Sequence, residues 1–391
     1  MAKRIILLVI FLTAAGLAMW LAQNQTQKGW AGTPLVKKEF TEELIGERQL
    51  RAERETEVEL LLVGDIMLSR NVASMIQKHD DPLLPFANIS ALLKQSDFNF
   101  GNLESPFSES LHIPPSGSLI FNAPKTFHVG LVENNFKVLS IANNHALDQG
   151  LTGLKTTREL LAASGIAAIG AGNDQAQAWE PAIVELRGLK IGFLAASYAS
   201  VNDGGKSRND YVARTDDVEN LKLGIENLKS RSDFIVVSMH AGNEYTHRPN
   251  ATQQDFARAA IDAGADVVVG HHPHWVQPIE KYCPQPHLSS PYQGEEPTQN
   301  TPPLQGGIRG GKSINCGLIF YSLGNFIFDQ EWSQKTKQGL AVRLTLEGAK
   351  LKSAELVPVL IENYCCARLA DEQESKQILE SIRATSTLIK L

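Results

Sequence analysis

The sequence predicts a mixed α/β fold built mostly on parallel strands. Three observations carry that expectation. From Glu57 onward short apolar runs alternate with helix-length segments, the pattern of strands with helical cover. Five of the apolar runs end in a turn and then a polar side chain, as strands do at a ligand-binding sheet end. The last strand-like runs follow one another without helices, which adds an antiparallel part.

In chain order, residues 58–63, 97–100, 138–141, 166–169, 191–195, 234–237 and 266–269 read as short apolar strands. Residues 83–94, 151–164, 218–229 and 252–263 read as helices. The last of these opens with Thr252 and carries Asp255 three residues on, a variant of the capping box. Residues 317–322, 339–346 and 350–357 read as antiparallel strands, and a final helix covers 371–383. The sequence shows no internal repeat.

Before this body, Lys3 and Arg4 precede an uncharged apolar stretch, 5–22, close to the ~20 residues that span a bilayer. Such an export element is either a cleaved signal peptide or an uncleaved anchor. Its length favours an anchor with the basic end in the cytoplasm. The polar stretch 23–56 reads as a linker, so the organisation expected is 1–22, 23–56, a folded body over 57–360, and a helical C-terminal segment over 361–391. The body would then lie on the extracytoplasmic face of the membrane, or be secreted or periplasmic after cleavage.

With 391 residues, 43% hydrophobic, the chain can bury a large core. A formal charge of −6 and the lack of a Lys/Arg stripe exclude nucleic acid as an expected partner. Residues 284–313 are crowded with Pro, Gly, Ser, Gln and Asn and read as a disordered insertion. Cys283 and Cys316 bracket it; a bond between them would stabilise by about 3 to 4 kcal/mol on the chain-entropy model. Cys365 and Cys366 could compete for that pairing.

Chemistry concentrates where the apolar runs end. Leu60 to Val63 lead into Gly64 and Asp65, a carboxylate suited to a divalent cation or to a helix cap. Phe98-Asn99-Phe100-Gly101-Asn102-Leu103 leads to Glu104. The run through Ile141 and Ala142 ends in Asn143, Asn144 and His145, followed by Asp148 and Gly150. Asn is poor in a strand interior, so its doubling before a His points to a site that needs amide oxygen and imidazole.

The fourth run ends at His240, with Glu244, Tyr245 and Arg248 behind it. In the fifth, three of the ten histidines, His271, His272 and His274, fall within four positions. Two carboxylates, an amide and several imidazoles without thiolates suit one or two divalent transition metals such as Mn, Fe, Zn or Co. Strand alternation would put His272 and His274 on one side and His271 on the other, unless Pro273 breaks it.

These segments, with Tyr321-Ser322-Leu323-Gly324-Asn325-Phe326, resemble in order the motifs of the CapA family of poly-gamma-glutamate capsule synthesis proteins. That family is similar in turn to the calcineurin-like metallophosphoesterases. The resemblance implies a four-layer α/β/β/α sandwich with a two-metal site at the strand ends. It implies Asp65 and His274 as ligands of a first metal and Glu104 as the bridge. Asn144, His240 and His272 would hold a second metal, and His145 beside it would serve the leaving group, with Asp148 as its catalytic companion. Asn143, His271, Glu244, Tyr245, Arg248 and Asn325 are the candidates for the substrate side.

One position departs from the phosphoesterase pattern. Two residues after the first Asp, where that superfamily places a His ligand, stands Met67. A thioether matches a hydrolytic metal poorly, which leaves the first metal weak, absent or completed by water.

The function implied is metal-dependent hydrolysis of a phosphoester or amide in capsule or surface-polymer biosynthesis. The partners implied are an anionic surface polymer or its membrane synthase complex. A broad metallophosphoesterase and a non-catalytic scaffold of an export complex are the alternatives.

Overall fold

The computed structural model describes residues 57–198, 210–284, 316–384 and 386. The expected export element 1–22, the linker 23–56 and nearly all of the expected insertion 284–313 lie outside them. No helix among the described residues is long and apolar enough to cross a membrane.

The strands, in chain order, are β1 Glu57–Ile66, β2 Phe98–Leu103, β3 Phe107–Ser108, β4 Ala123–Pro124, β5 Phe136–Ser140, β6 Ala167–Ile169, β7 Ala182–Leu186 and β8 Leu189–Ser197. They continue as β9 Phe234–His240, β10 Val267–His271, β11 Ile279–Tyr282, β12 Gly317–Phe320, β13 Asn325–Ile327, β14 Gln338–Glu347, β15 Lys350–Glu362 and β16 Cys366–Leu369. The longer helices are α1 Arg70–His79, α2 Gly150–Ala163, α3 Val218–Lys229, α4 Ala251–Ala263 and α5 Glu372–Arg383.

Two mixed sheets result. The larger runs β16-β15-β14-β1-β2-β5-β6, with β13 also pairing with β1, and the smaller runs β11-β12-β10-β9-β8-β7. Strands β1, β2, β5 and β6 are parallel, as are β8, β9, β10 and β12. Their continuous apolar sequences fit strands buried on both faces. The sheets meet through aromatic side chains: Phe98 and Phe100 of β2 pack on Phe193 of β8 with ring centroids 6.1 and 5.6 Å apart. Burying one such ring fully is worth about 1.5–3 kcal/mol.

Helices cover the sheets on their other sides. Leu221, Ile225 and Leu228 of α3 and Phe256, Ala260 and Ile261 of α4 share one apolar cluster with Leu194, Val237, Val268 and Ile319 of the smaller sheet. Helix α2 packs against β6, and α5 against β15.

Several expectations are corrected. The helix expected over 83–94 is a 3₁₀ turn, Leu84–Phe86, followed by a single helical turn, Ser90–Leu93. Pro82 and Pro85 remove backbone donors that a continuous helix would need. The α4 cap lies two residues earlier than expected: Asn250 accepts from the Gln253 N–H at 3.0 Å, and Gln253 Oε1 accepts from the Asn250 N–H at 3.0 Å. Strand β12, expected to be antiparallel, is antiparallel to β11 but parallel to β10, so it extends the parallel core. Residues 361–391 first supply β16 to the larger sheet and only then α5.

Cys283 and Cys316 are disulfide-bonded where β11 meets β12, next to the Tyr282 and Gly317 pair. Cys365 and Cys366 are joined to each other.

Candidate metal centre

The parallel strands of both sheets finish at one place. Asp65 stands in register with Asn102 of β2 on one side and Asn325 of β13 on the other. His271 of β10 is in register with His240 of β9. Two glycines permit this close approach. A Cβ on Gly64 would sit 2.0 Å from the Gly324 carbonyl oxygen, and one on Gly270 would sit 2.0 Å from that of Tyr321.

Asp65 is fully buried. Its Oδ1 accepts from Asn102 Nδ2 at 2.8 Å and lies 3.3 Å from His271 Nδ1. Its Oδ2 accepts from the His272 backbone N–H at 3.2 Å and lies 3.6 Å from His274 Nδ1. Burial pushes its pKa up, but the His271 and His274 imidazoles against it hold it well below the usual carboxylate range.

Glu104 is the opposite case. It is 0% exposed, and neither carboxylate oxygen has a hydrogen-bond partner. Burial, and then the charge of Asp65, drive its pKa well up. An ionised carboxylate left in this way costs several kcal/mol unless a cation balances it.

Glu104 also belongs to two ligand groups. One atom from each of Glu104, His240 and His272 lies within 4.8 Å of the others, and the same holds for Asp65, Glu104 and His274. Those separations are close to what ligands about 2.1 Å from a shared ion would show. Asn144 Oδ1, 2.8 Å from His240 Nε2, joins the first group. The unpartnered Glu104 oxygens and the unpartnered His272 Nδ1 thus fit a divalent metal site at this cluster.

The imidazoles differ in charge. Burial, then the charge of His272, holds His240 well below the usual histidine range. Burial, then the charge of His274, lowers His272 to about 3. For His274 burial works downward, but Glu104 and Asp65 overcome it and raise the group to about 9.

Backbone conformation explains how the His271, His272 and His274 run is presented. β10 ends at His271, and His272 and His274 have φ of 98° and 57°. Strand alternation therefore stops before them. Among the described residues nine non-glycine residues have positive φ, and four of them, Arg70, Tyr245, His272 and His274, are at this site. Such strained backbones gather at functional sites.

His145 stands at the edge of the cluster, its Nε2 3.8 Å from Glu104 Oε1. Its Nδ1 lies 2.8 Å from Asp148 Oδ2, which also accepts from the Phe121 N–H at 2.6 Å. Burial raises the pKa of Asp148, while His145 works against that rise. Beside His145 opens a cavity of about 300 Å³ whose lining includes Arg70, Phe121, Asn144, Glu244, Tyr245, His274 and Trp332.

Of the residues expected on the substrate side, the structure brings Glu244 and Tyr245 to this cavity. Arg248 is exposed and outside its lining, because the chain turns away after Tyr245 toward the α4 cap. Three more are buried and outside its lining. Asn143 donates to Asn102 Oδ1 at 3.2 Å and to the Leu103 carbonyl at 2.8 Å, shaping the turn that carries Asn144. His271 is fully buried between Asp65 and the Phe100 ring. Asn325 lies 2.8 Å from His274 Nδ1 through its Oδ1 and donates to the Thr336 carbonyl at 2.9 Å, so it orients His274.

Met67 is buried, and its sulfur accepts from the Ser69 backbone N–H at 3.0 Å. It serves the turn into α1. Asp65, Glu104 and His274 come together without it. Sequence reading missed Asn102, whose Nδ2 reaches Asp65 Oδ1 and lies 3.2 Å from His240 Nδ1. It also missed Arg70, Phe121 and Trp332. Asn102 sits in the Gly101-Asn102-Leu103-Glu104 segment, one strand from Asp65, and that position marks it in the sequence.

Residues 59–330 match the family described as bacterial capsule synthesis protein PGA_cap. The chain belongs to that family. It is 30% identical over 328 residues to the PGA biosynthesis protein CapA of Bacillus subtilis, covering 83% of this chain and 77% of that protein. It is 29% identical over 310 residues to the capsule biosynthesis protein CapA of Bacillus anthracis, covering 78% of this chain and 67% of that one. Among solved structures, a 5'-nucleotidase precursor from Thermus thermophilus aligns with a TM-score of 0.42 at 14% identity, over 84% of this chain and 58% of that one. A hypothetical protein from the same organism aligns with a TM-score of 0.44 at 14% identity, over 77% and 98%.

Proposed function

We propose that this PGA_cap family member is a metal-dependent hydrolase of metallophosphoesterase type. It acts on a γ-linked glutamate polymer, or a related anionic surface polymer, during capsule biosynthesis. The observation that supports this most strongly is Glu104, fully buried, with both carboxylate oxygens unpartnered, and shared by two ligand groups. The family and its capsule-synthesis relatives support the polymer. The body works outside the cytoplasm, tethered through the 1–22 segment or released by its cleavage.

Asp65, Glu104 and His274 would hold one metal, and Glu104, Asn144, His240 and His272 the other. When bound, the metals supply Lewis acidity toward the scissile group. His145 holds a proton at Nε2, facing the cluster, and delivers it to the departing nitrogen or oxygen. Asp148 fixes the ring through Nδ1, and the Phe121 ring, stacked with its centroid 3.9 Å away, stops it from rotating. Asn102 keeps Asp65 and His240 in place, and Asn325 does so for His274.

The test is the length distribution of poly-γ-glutamate incubated with the full-length metal-loaded chain. Shortening by the wild type, lost in His145→Ala, is the expected result. Unchanged polymer with a folded, metal-loaded protein would overturn the hydrolase reading.

A further inference from the structure

Arg70 opens α1 five residues past Asp65 and lines the cavity beside His145 and Asn144. An arginine here is 7% exposed and must be well supported. It forms an ion pair with Asp329, and its Nη1 donates to the Ser118 carbonyl at 3.1 Å. Its guanidinium lies 4.8 Å from the Phe121 ring centroid and 5.6 Å from that of Phe328. Support is nevertheless incomplete, because Nε is buried without a hydrogen-bond partner. Five N–H donors of guanidinium leave capacity beyond these contacts.

Two further observations separate Arg70 from an ordinary structural arginine. Its φ of 47° is left-handed, a costly conformation for a side-chain-bearing residue. Its charge is also felt at Glu104, so it stands within electrostatic reach of the metal-ligating cluster.

The surrounding charges limit what can bind. Asp329 pairs with Arg70, and Glu244 lines the same cavity as His274. A dianionic phosphomonoester would face both carboxylates. A single carboxylate carried on a carbon chain would meet the Arg70 guanidinium and the rings of Phe121, Tyr245 and Trp332, which line the cavity together.

We infer that Arg70 is the specificity-determining residue of this cavity and receives a carboxylate of the substrate, placing the neighbouring acyl bond over His145 and Glu104. This rests on the polymer assignment made above, since each γ-linked glutamyl residue carries one free carboxylate.

The test is calorimetric binding of a γ-linked glutamate oligomer, and of the same oligomer with its carboxylates amidated, to the full-length metal-loaded chain in detergent. Wild type binds the carboxylated oligomer at least about 10-fold more tightly than the amidated one. Arg70→Lys, which lacks the planar fork, and the charge-neutral pair Arg70→Gln with Asp329→Asn each lose that preference at unchanged metal content.

Equal binding of the two oligomers by wild type, or wild-type preference in a folded variant, overturns the role of Arg70 and leaves the hydrolase reading intact. If wild type binds neither oligomer, the polymer assignment itself falls. The comparison of oligomers on wild type tests carboxylate recognition without any variant, and either variant that folds then tests whether Arg70 carries it.

Discussion

His145 Nδ1 stands 2.8 Å from Asp148 Oδ2 while its Nε2 points toward Glu104, 3.8 Å away. One ring therefore joins a buried carboxylate to the candidate metal cluster, with Phe121 stacked on its face. In the proposed mechanism this geometry separates proton delivery from metal binding, so each can be removed alone.

His145→Ala is expected to lower kcat on the polymer by about 10²- to 10⁴-fold with metal content unchanged. Asp148→Asn should give a smaller loss, since the ring stays but its orienting partner is weakened. Kinetics paired with metal analysis checks this. Metal lost in parallel with turnover would make His145 a ligand.

Asn325 distinguishes orientation from substrate contact. Because it holds His274 Nδ1 at 2.8 Å, Asn325→Ala is expected to weaken metal affinity by about 10- to 100-fold. Competition with a fluorescent chelator measures that affinity. A raised KM with unaltered metal affinity would restore Asn325 to the substrate side.

Stability of the metal-stripped chain should peak near pH 6.5. His272 is held neutral, lowered from 6.5 to about 3 by burial and by the charge of His274, so its contribution is complete above 6.5 and is lost as pH falls toward 3. His274 is raised from 6.5 to about 9 by Glu104 and Asp65 against burial, so its contribution is complete below 6.5 and is lost as pH rises through 9. Glu104, raised by burial and then by Asp65, loses its contribution as pH rises above the ordinary carboxylate range, which deepens the loss on the alkaline side. Thermal melts of chelator-treated protein across pH 3 to 10 read this directly. A Tm that rises steadily to pH 9 would contradict it.

Gly64 sets the spacing of β1 against Gly324. Its Cβ would meet a backbone carbonyl at 2.0 Å, where neither partner can yield. Gly64→Ala is expected to cost about 1–3 kcal/mol or more in denaturant unfolding and to displace Asp65. Wild-type stability with full metal content would show that the strands can separate without harm.

The larger outline was legible because parallel strands buried on both faces leave continuous apolar runs, and their glycine-to-ligand endings mark where the sheets converge. Asp65, Glu104, Asn144, His240, His272 and His274 stand at those endings and come together in the structure. The helix expected over 83–94 failed because apolar content alone hides the donors removed by Pro82 and Pro85. Asn325 and His271 looked like pocket residues because sequence gives a residue's place at a strand end but not its depth. Arg70 and Phe121 escaped notice because they meet at the site only through the chain's path over 107–121, which carries no periodic signal.

The central claim is that Glu104 is buried bare because metal binds there. Elemental analysis of the full-length chain, purified without chelator, tests it most directly. One or two equivalents of a divalent transition metal in the wild type, lost in Glu104→Gln, His240→Ala and His272→Ala, is the predicted result. A folded wild-type chain that holds none, and takes up none when Mn, Fe, Zn or Co is supplied, would contradict it.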